Sequence, residues 1–135
     1  MAGGYPEYLC PRISHVDIAW ACVATSDANP LHLDREFAVR QRGYQDVLVP
    51  GTMLVGWIGE YLAEWAGSPE RVLRWQVRFT APVWPNEQVT LRGRELARIE
   101  DEEGTLVSCE VIAATAEEKI AAHGSAQIRI PCSSI

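Results

Sequence analysis

In the segment Ser26-Asp27-Ala28-Asn29-Pro30-Leu31-His32-Leu33-Asp34 a carboxylate and an imidazole stand five positions apart. Asp27 and His32 belong to the side-chain types most used to move protons, and such chemistry needs each within about 2.6 to 3.2 Å of the proton it handles. Rigid presentation therefore matters as much as residue type. Asn29 can bond its own backbone two residues on, and Pro30 has a locked φ. Pro30 also steers Asn29 away from helix, so residues 26 to 34 read as a tight, structured, non-helical loop with both side chains on one pocket. His32-x-Asp34 has no further histidine nearby, and no metal is expected there.

Further on stands Val49-Pro50-Gly51-Thr52-Met53-Leu54. Gly51 opens a helix there. Its bare Cα lets an acyl group approach, and its N–H, reinforced by the helix dipole, can meet a developing oxyanion. Asp27, His32 and Gly51 together make a set that can move protons while stabilising negative charge on oxygen.

The elements that must position these residues follow from pattern. Ser14-His15-Val16-Asp17 reads as a capping box opening a helix over 15–25, which breaks at Ser26. Asp34 can cap a second short helix through Phe37 and Val39, ended by Gly43, and Val47-Leu48-Val49-Pro50 is extended. The longest helix runs from Thr52 to Trp65 and ends at Gly67-Ser68-Pro69. It is apolar nearly all round, which predicts burial, and Gly56 and Gly59 suggest close packing. Then the period changes to two: Leu73, Trp75, Val77 and Phe79 alternate with Arg74, Gln76 and Arg78, as in a half-buried strand. Pro82, Pro85 and Asn86 mark a turn. Segments 89–99 and 105–114 flank an acidic turn ending in Gly104 and read as a hairpin, 120–130 is another strand, and a short strand is expected over 8–13. The sum is an α+β layout: a curved antiparallel sheet wrapped around a long central helix.

Composition sets the outer bounds. A chain of 135 residues is about one domain long, so residues 1–135 are expected to form a single unit. Hydrophobic residues make up 47% and charged residues 22%, the balance of a globular chain with a real core. The net charge of −6 removes any global pull on nucleic acid. No apolar run reaches the roughly 18 residues needed to span a bilayer, no secretory signal is visible, and Cys10, Cys22, Cys109 and Cys132 are scattered as reduced thiols would be. These features predict no membrane partner and a cytoplasmic location. His15 and His123 receive no role, and Arg74 with Arg78 reads as a solvated face rather than a phosphate contact.

The run from Ala24 to Leu54, with D-x-N-P-L-H and the following P-G-T-M-L, resembles the signature of the MaoC-like dehydratase and (R)-specific enoyl-CoA hydratase family. The similarity extends from Ser14 through the closing strand, and is notable toward dehydratase subunits of actinobacterial acyl-chain or sterol pathways over Trp65-Ala-Gly-Ser-Pro and Gln76-Val-Arg-Phe-Thr-Ala-Pro-Val. The resemblance implies the hot-dog fold. It makes Asp27 and His32 the pair that activates one water, Gly51 the oxyanion donor, and Asn29 and Pro30 the residues that position the loop. The implied reaction is addition of water to a trans-2-enoyl thioester, giving an (R)-3-hydroxyacyl thioester, or the reverse. No cofactor is implied beyond coenzyme A or acyl carrier protein as substrate carrier, and the implied assembly is a homodimer or a hetero-oligomer with a related subunit. Three positions depart from the family pattern: Ser26 for a frequent glycine, Pro50 for a frequent histidine, and Gly59 where some relatives carry serine. A small-for-small change at Ser26 is expected to have little consequence. Fold does not fix reaction, so a hot-dog thioesterase and a non-catalytic thioester-binding subunit are the alternatives; the intact loop argues against both.

Overall fold

In the computed structural model, residues 4–116 and 118–131 are described. Five antiparallel strands follow from the period-two segments and the glycine-marked turn at Gly104: β1 Gly4–Leu9, β2 Val72–Phe79, β3 Val89–Asp101, β4 Gly104–Thr115 and β5 Ile120–Ile130. They form one sheet in the order β1-β3-β4-β5-β2. The acidic turn is tighter than expected, reduced to Glu102-Glu103, because Gly104 takes φ +122° and lets both strands run further. β1 lies earlier than the expected 8–13, since Pro6 is accommodated in an irregular edge pairing between Tyr5 and Tyr8 while Pro11 falls outside the strand.

Helix α1, His15–Ala24, starts as the sequence predicts: Ser14 Oγ accepts from the Asp17 N–H at 3.2 Å, and Asp17 accepts from the Ser14 N–H at 2.9 Å. The long helix α3, Gly51–Ala66, is closed by Gly67 at φ +89°. It lies on the inner face of the sheet with Leu54, Ile58, Tyr61, Leu62 and Ala66 buried against Leu91, Val107, Val111 and Ile128. This helix-in-sheet packing is the hot-dog fold. The expectation of all-round burial fails on one side, where Thr52, Gly56, Glu60 and Glu64 are exposed. Gly56 accordingly has nothing within 4 Å of where a Cβ would stand. Gly59 does meet the close-packing expectation: a Cβ there would lie 2.9 Å from the Trp75 ring.

β2 also differs. Its Trp75, Val77 and Phe79 sit opposite inward-facing residues of β5, yet Leu73 and Phe79 are each 52% exposed. Periodicity reports which face a side chain takes, whereas β2 is an edge strand and α3 covers only part of it. Cys10, Cys22 and Cys109 are free and buried, and burial pushes the Cys10 thiol up to about 12 and that of Cys109 up to about 11; Cys132 lies outside the described residues. Among the described residues no helix is long and apolar enough to cross a membrane.

The tightest seam joins α3 to the other edge. At Gly93 of β3 a Cβ would meet the Tyr61 hydroxyl and the Trp65 ring, each at 2.7 Å. Tyr61 donates its hydroxyl at 3.0 Å to the Tyr5 or Pro6 carbonyl, and burial raises its pKa to about 12. Gly93→Val is therefore expected to cost about 1–3 kcal/mol through overpacking. A lower urea midpoint at unchanged slope reads that loss; a midpoint equal to the parent's excludes it.

Candidate active site

The loop that carries Asp27 begins where α1 stops. Thr25 closes the helix, and Ser26 turns the chain with φ +54°, a left-handed conformation that costs an L-residue roughly 1–2 kcal/mol. The serine at this position is thus not the neutral replacement expected from its size, because the backbone here calls for glycine. The turn brings the Asp27 N–H back to the Cys22 carbonyl at 2.9 Å and projects the carboxylate out of the helix end.

Residues 30–33 are not the non-helical loop expected. They form a single helical turn, α2 Pro30–Leu33, because Asn29 is an N-cap whose Oδ1 accepts from the Leu31 N–H at 2.9 Å, and Pro30 occupies the first helical position, where its missing N–H costs nothing. Asn29 and Pro30 do hold the segment, by capping it. Asp34 then accepts from the Phe37 N–H at 3.1 Å and leads into a wide helical turn, Phe37–Gln41, ending near Gly43 at φ +74°.

His32 is fixed by a neighbour that carries no chemical signature in the sequence. Residues 47–49 form an extended strap: the Leu48 N–H bonds the Leu31 carbonyl at 2.9 Å, and the Val49 N–H bonds the Val83 carbonyl at 2.9 Å. The Leu48 carbonyl faces back and accepts from His32 Nδ1 at 2.7 Å. A carbonyl can only accept, so Nδ1 carries the proton and the neutral ring presents its Nε2 lone pair. Nε2 lies 3.9 Å from Asp27 Oδ2.

This separation is too long for a direct hydrogen bond. One oxygen about 2.8 Å from both atoms would subtend an angle of about 90°, close to what a water donating its two hydrogens to two acceptors needs. The side chain of His32 is 12% exposed and that of Asp27 43%, so the imidazole is shielded while the carboxylate keeps its solvation. Gly51 opens α3 behind Pro50, which gives the helix no side-chain cap. The Gly51 N–H has no acceptor among the described residues and points out of the positive end of a 16-residue dipole.

His32 and Gly51 line one cavity of about 360 Å³ together with Tyr44, Leu48, Leu54 and Phe79. Asp27 reaches it only through the gap to His32 and is not part of its wall. Phe79 leans from β2 over the helix start, where a Cβ on Gly51 would come within 2.7 Å of its ring. The lining is apolar with a few convergent polar groups, the usual make-up of a small-molecule site. A larger depression of about 800 Å³, bordered by Arg78, Thr80, His123 and Ser125, belongs to the sheet's other face and includes none of Asp27, His32 and Gly51. The smaller cavity is the one that holds the oriented His32 ring. His123 instead bonds Glu110 at 2.9 Å, which Arg94 also meets. Among the described residues no three of His, Cys, Asp and Glu gather as a metal site.

Sequence reasoning missed Leu48, Tyr44 and Phe79. The apolar run before Pro50-Gly51 was the available cue, since a buried extended segment beside a loop must hydrogen-bond something.

The model of the MaoC like domain family matches residues 12–117. The chain belongs to that family. This MaoC-like chain matches no curated protein, but it superposes on solved structures over nearly its whole length. With the ChsH1-ChsH2 complex from Mycobacterium tuberculosis the TM-score is 0.79 at 22% identity, covering 96% of each chain. With an (R)-hydratase from A. caviae involved in PHA biosynthesis it is 0.79 at 22%, covering 96% of this chain and 97% of that one. With a MaoC-like dehydratase whose chain is 40% covered it reaches 0.83 at 25% identity over 96% of this chain.

The left-handed Ser26 yields a stability prediction for this MaoC-like chain. Ser26→Gly relieves the backbone penalty but adds unfolded-state entropy of about 0.5–1 kcal/mol, leaving a net gain of about 0–1.5 kcal/mol. A melting temperature raised by up to a few degrees is the expected reading; a lower one would contradict the strain.

Proposed function

We propose that this MaoC-like chain is a hydratase or dehydratase that interconverts a trans-2-enoyl thioester and an (R)-3-hydroxyacyl thioester. The observation that carries the reading is the pair of acceptors, His32 Nε2 and Asp27 Oδ2, held 3.9 Å apart beside an apolar cavity. One water gives both acceptors its hydrogens. As its oxygen bonds C3 of the enoyl group, one proton passes to the pair, and the C2=C3 electrons move onto the thioester oxygen as an enolate. The Gly51 N–H stabilises that oxygen, and the enolate collapses by taking a proton at C2 from the pair. Read backwards, the same steps remove water. The cavity takes the acyl chain; coenzyme A or acyl carrier protein carries the thioester, with no separate cofactor.

Asp27→Asn and His32→Ala are each expected to lower turnover by about a hundredfold or more. Residues acting as a unit are non-additive, so the double variant should be little slower than either single one. Loss of enone absorbance, free-thiol release and product chirality, measured on the same samples, decide the matter. Thiol release would identify a thioesterase, absence of enoyl turnover by the parent a non-catalytic thioester-binding subunit, and an (S) product a different mechanism.

The exposed, unpaired β2 edge with Leu73, Trp75 and Phe79 supports assembly with a second copy or a related chain, since an open apolar edge strand pairs readily. A HadBC dehydratase complex from Mycobacterium tuberculosis, like ChsH1-ChsH2, joins such folds. Sedimentation of the active protein at a multiple of its 15.0 kDa chain mass is expected; an active monomer would overturn the assembly.

A further inference from the structure

We infer that Asp46 is a positioning residue that holds the His32 ring through the Leu48 carbonyl; this rests on the acid–base reading of His32. Asp46 begins the strap, and its Oδ1 accepts from the Val47 N–H at 2.7 Å. The same oxygen meets His15 Nε2 at 3.1 Å and Arg35 Nε at 3.7 Å. His15 is the first residue of α1, the helix that delivers Asp27, and Arg35 follows α2, which carries His32. One carboxylate thus ties the strap to both flanks of the catalytic loop.

The flanks need such a tie. α2 is a single turn, and a turn of that length has little stability of its own. The strap is bonded to the loop at Leu31 and His32 and to the sheet side at Val83. Neither contact fixes the end at which the strap arrives from the Gly43 turn; Asp46 does. The Asp46 side chain is only 24% exposed, whereas those of His15 and Arg35 are 54% and 65% exposed, so the hydrogen bonds from His15 and Val47 outweigh the longer, screened approach of Arg35. Burial raises the Asp46 pKa, but the His15 and Val47 hydrogen bonds, with the neighbouring positive charge, leave it below the ordinary carboxylate value. It therefore holds its tie as an anion at neutral pH.

The test reads the ring and the rate separately. Imidazole nitrogen spectra resolve three histidines, with His32 identified by its loss in His32→Ala. In the parent His32 should be the Nδ1–H tautomer, with slow solvent exchange of that proton. Asp46→Ala should give a tautomer mixture, exchange at least about tenfold faster, and kcat lowered about tenfold or more with KM changed less than about twofold, since small misplacements of a reacting group act on the chemical step. Asp46→Asn keeps the oxygen that Val47 and His15 bond and should restore the parent spectrum. A parent-like His32 spectrum in Asp46→Ala, or an Asp46→Asn variant as perturbed as Asp46→Ala, overturns the inference; should Asp46→Ala fail to fold, the Asn variant alone decides, by a spectrum that matches the parent or departs from it. Were the parent inactive on enoyl thioesters while Asp46→Ala still freed the ring, the hydratase reading would fall and the positioning role stand.

Discussion

The hydrogen bond from His32 Nδ1 to the Leu48 carbonyl, 2.7 Å long, is the constraint on which the arrangement around Asp27, His32 and Gly51 depends. It selects the tautomer and leaves Nε2 as the free acceptor 3.9 Å from Asp27 Oδ2. A backbone carbonyl does not titrate, so the ring keeps its orientation whether neutral or protonated. A carboxylate in the same place would itself respond to pH. This site keeps its carboxylate for the other side of the gap, where Asp27 remains solvated.

The residues proposed for the site were legible in the sequence, and the backbone contacts that hold them were not. Asp27 and His32 stand out by their titratable side chains and Gly51 by having none, and the Ser14–Asp17 cap, the β3–β4 hairpin and β5 follow from local preference. Leu48 does not stand out, because its contribution is a carbonyl that every residue possesses. Ser26 looked innocuous since size says nothing of φ, and only its value of +54° reveals what the turn demands. The helical turn at Pro30–Leu33 was read as loop because the proline was weighed as a helix breaker rather than as a first helical residue behind an Asn cap.

The sheet shows the same division at larger scale. Alternation placed Trp75 and Phe79 on the inner face but could not reveal that their strand lies at an edge, since strand order comes from long-range pairing. Gly51 and Gly59, eight residues apart on α3, admit the Phe79 and Trp75 rings respectively. The helix therefore meets β2 through bare backbone at two levels, and the glycine that leaves an N–H open to a ligand is also the one that lets β2 lean over the pocket.

The strap's bonding pattern governs when the site can exist during folding. Leu48 takes its partners from Leu31 and His32, whereas Val49 takes its partner from Val83, beyond α3 and β2 in the chain. Closing that loop must await the docking of the helix and its following strand, because long-range contacts bear their loop-closure entropy before they return any stabilisation. A partly folded chain with α1 capped and the β3–β4 hairpin formed would still lack an oriented imidazole. The orientation of the His32 ring therefore draws on a contact that spans α3 and β2 as well as on neighbours within the loop.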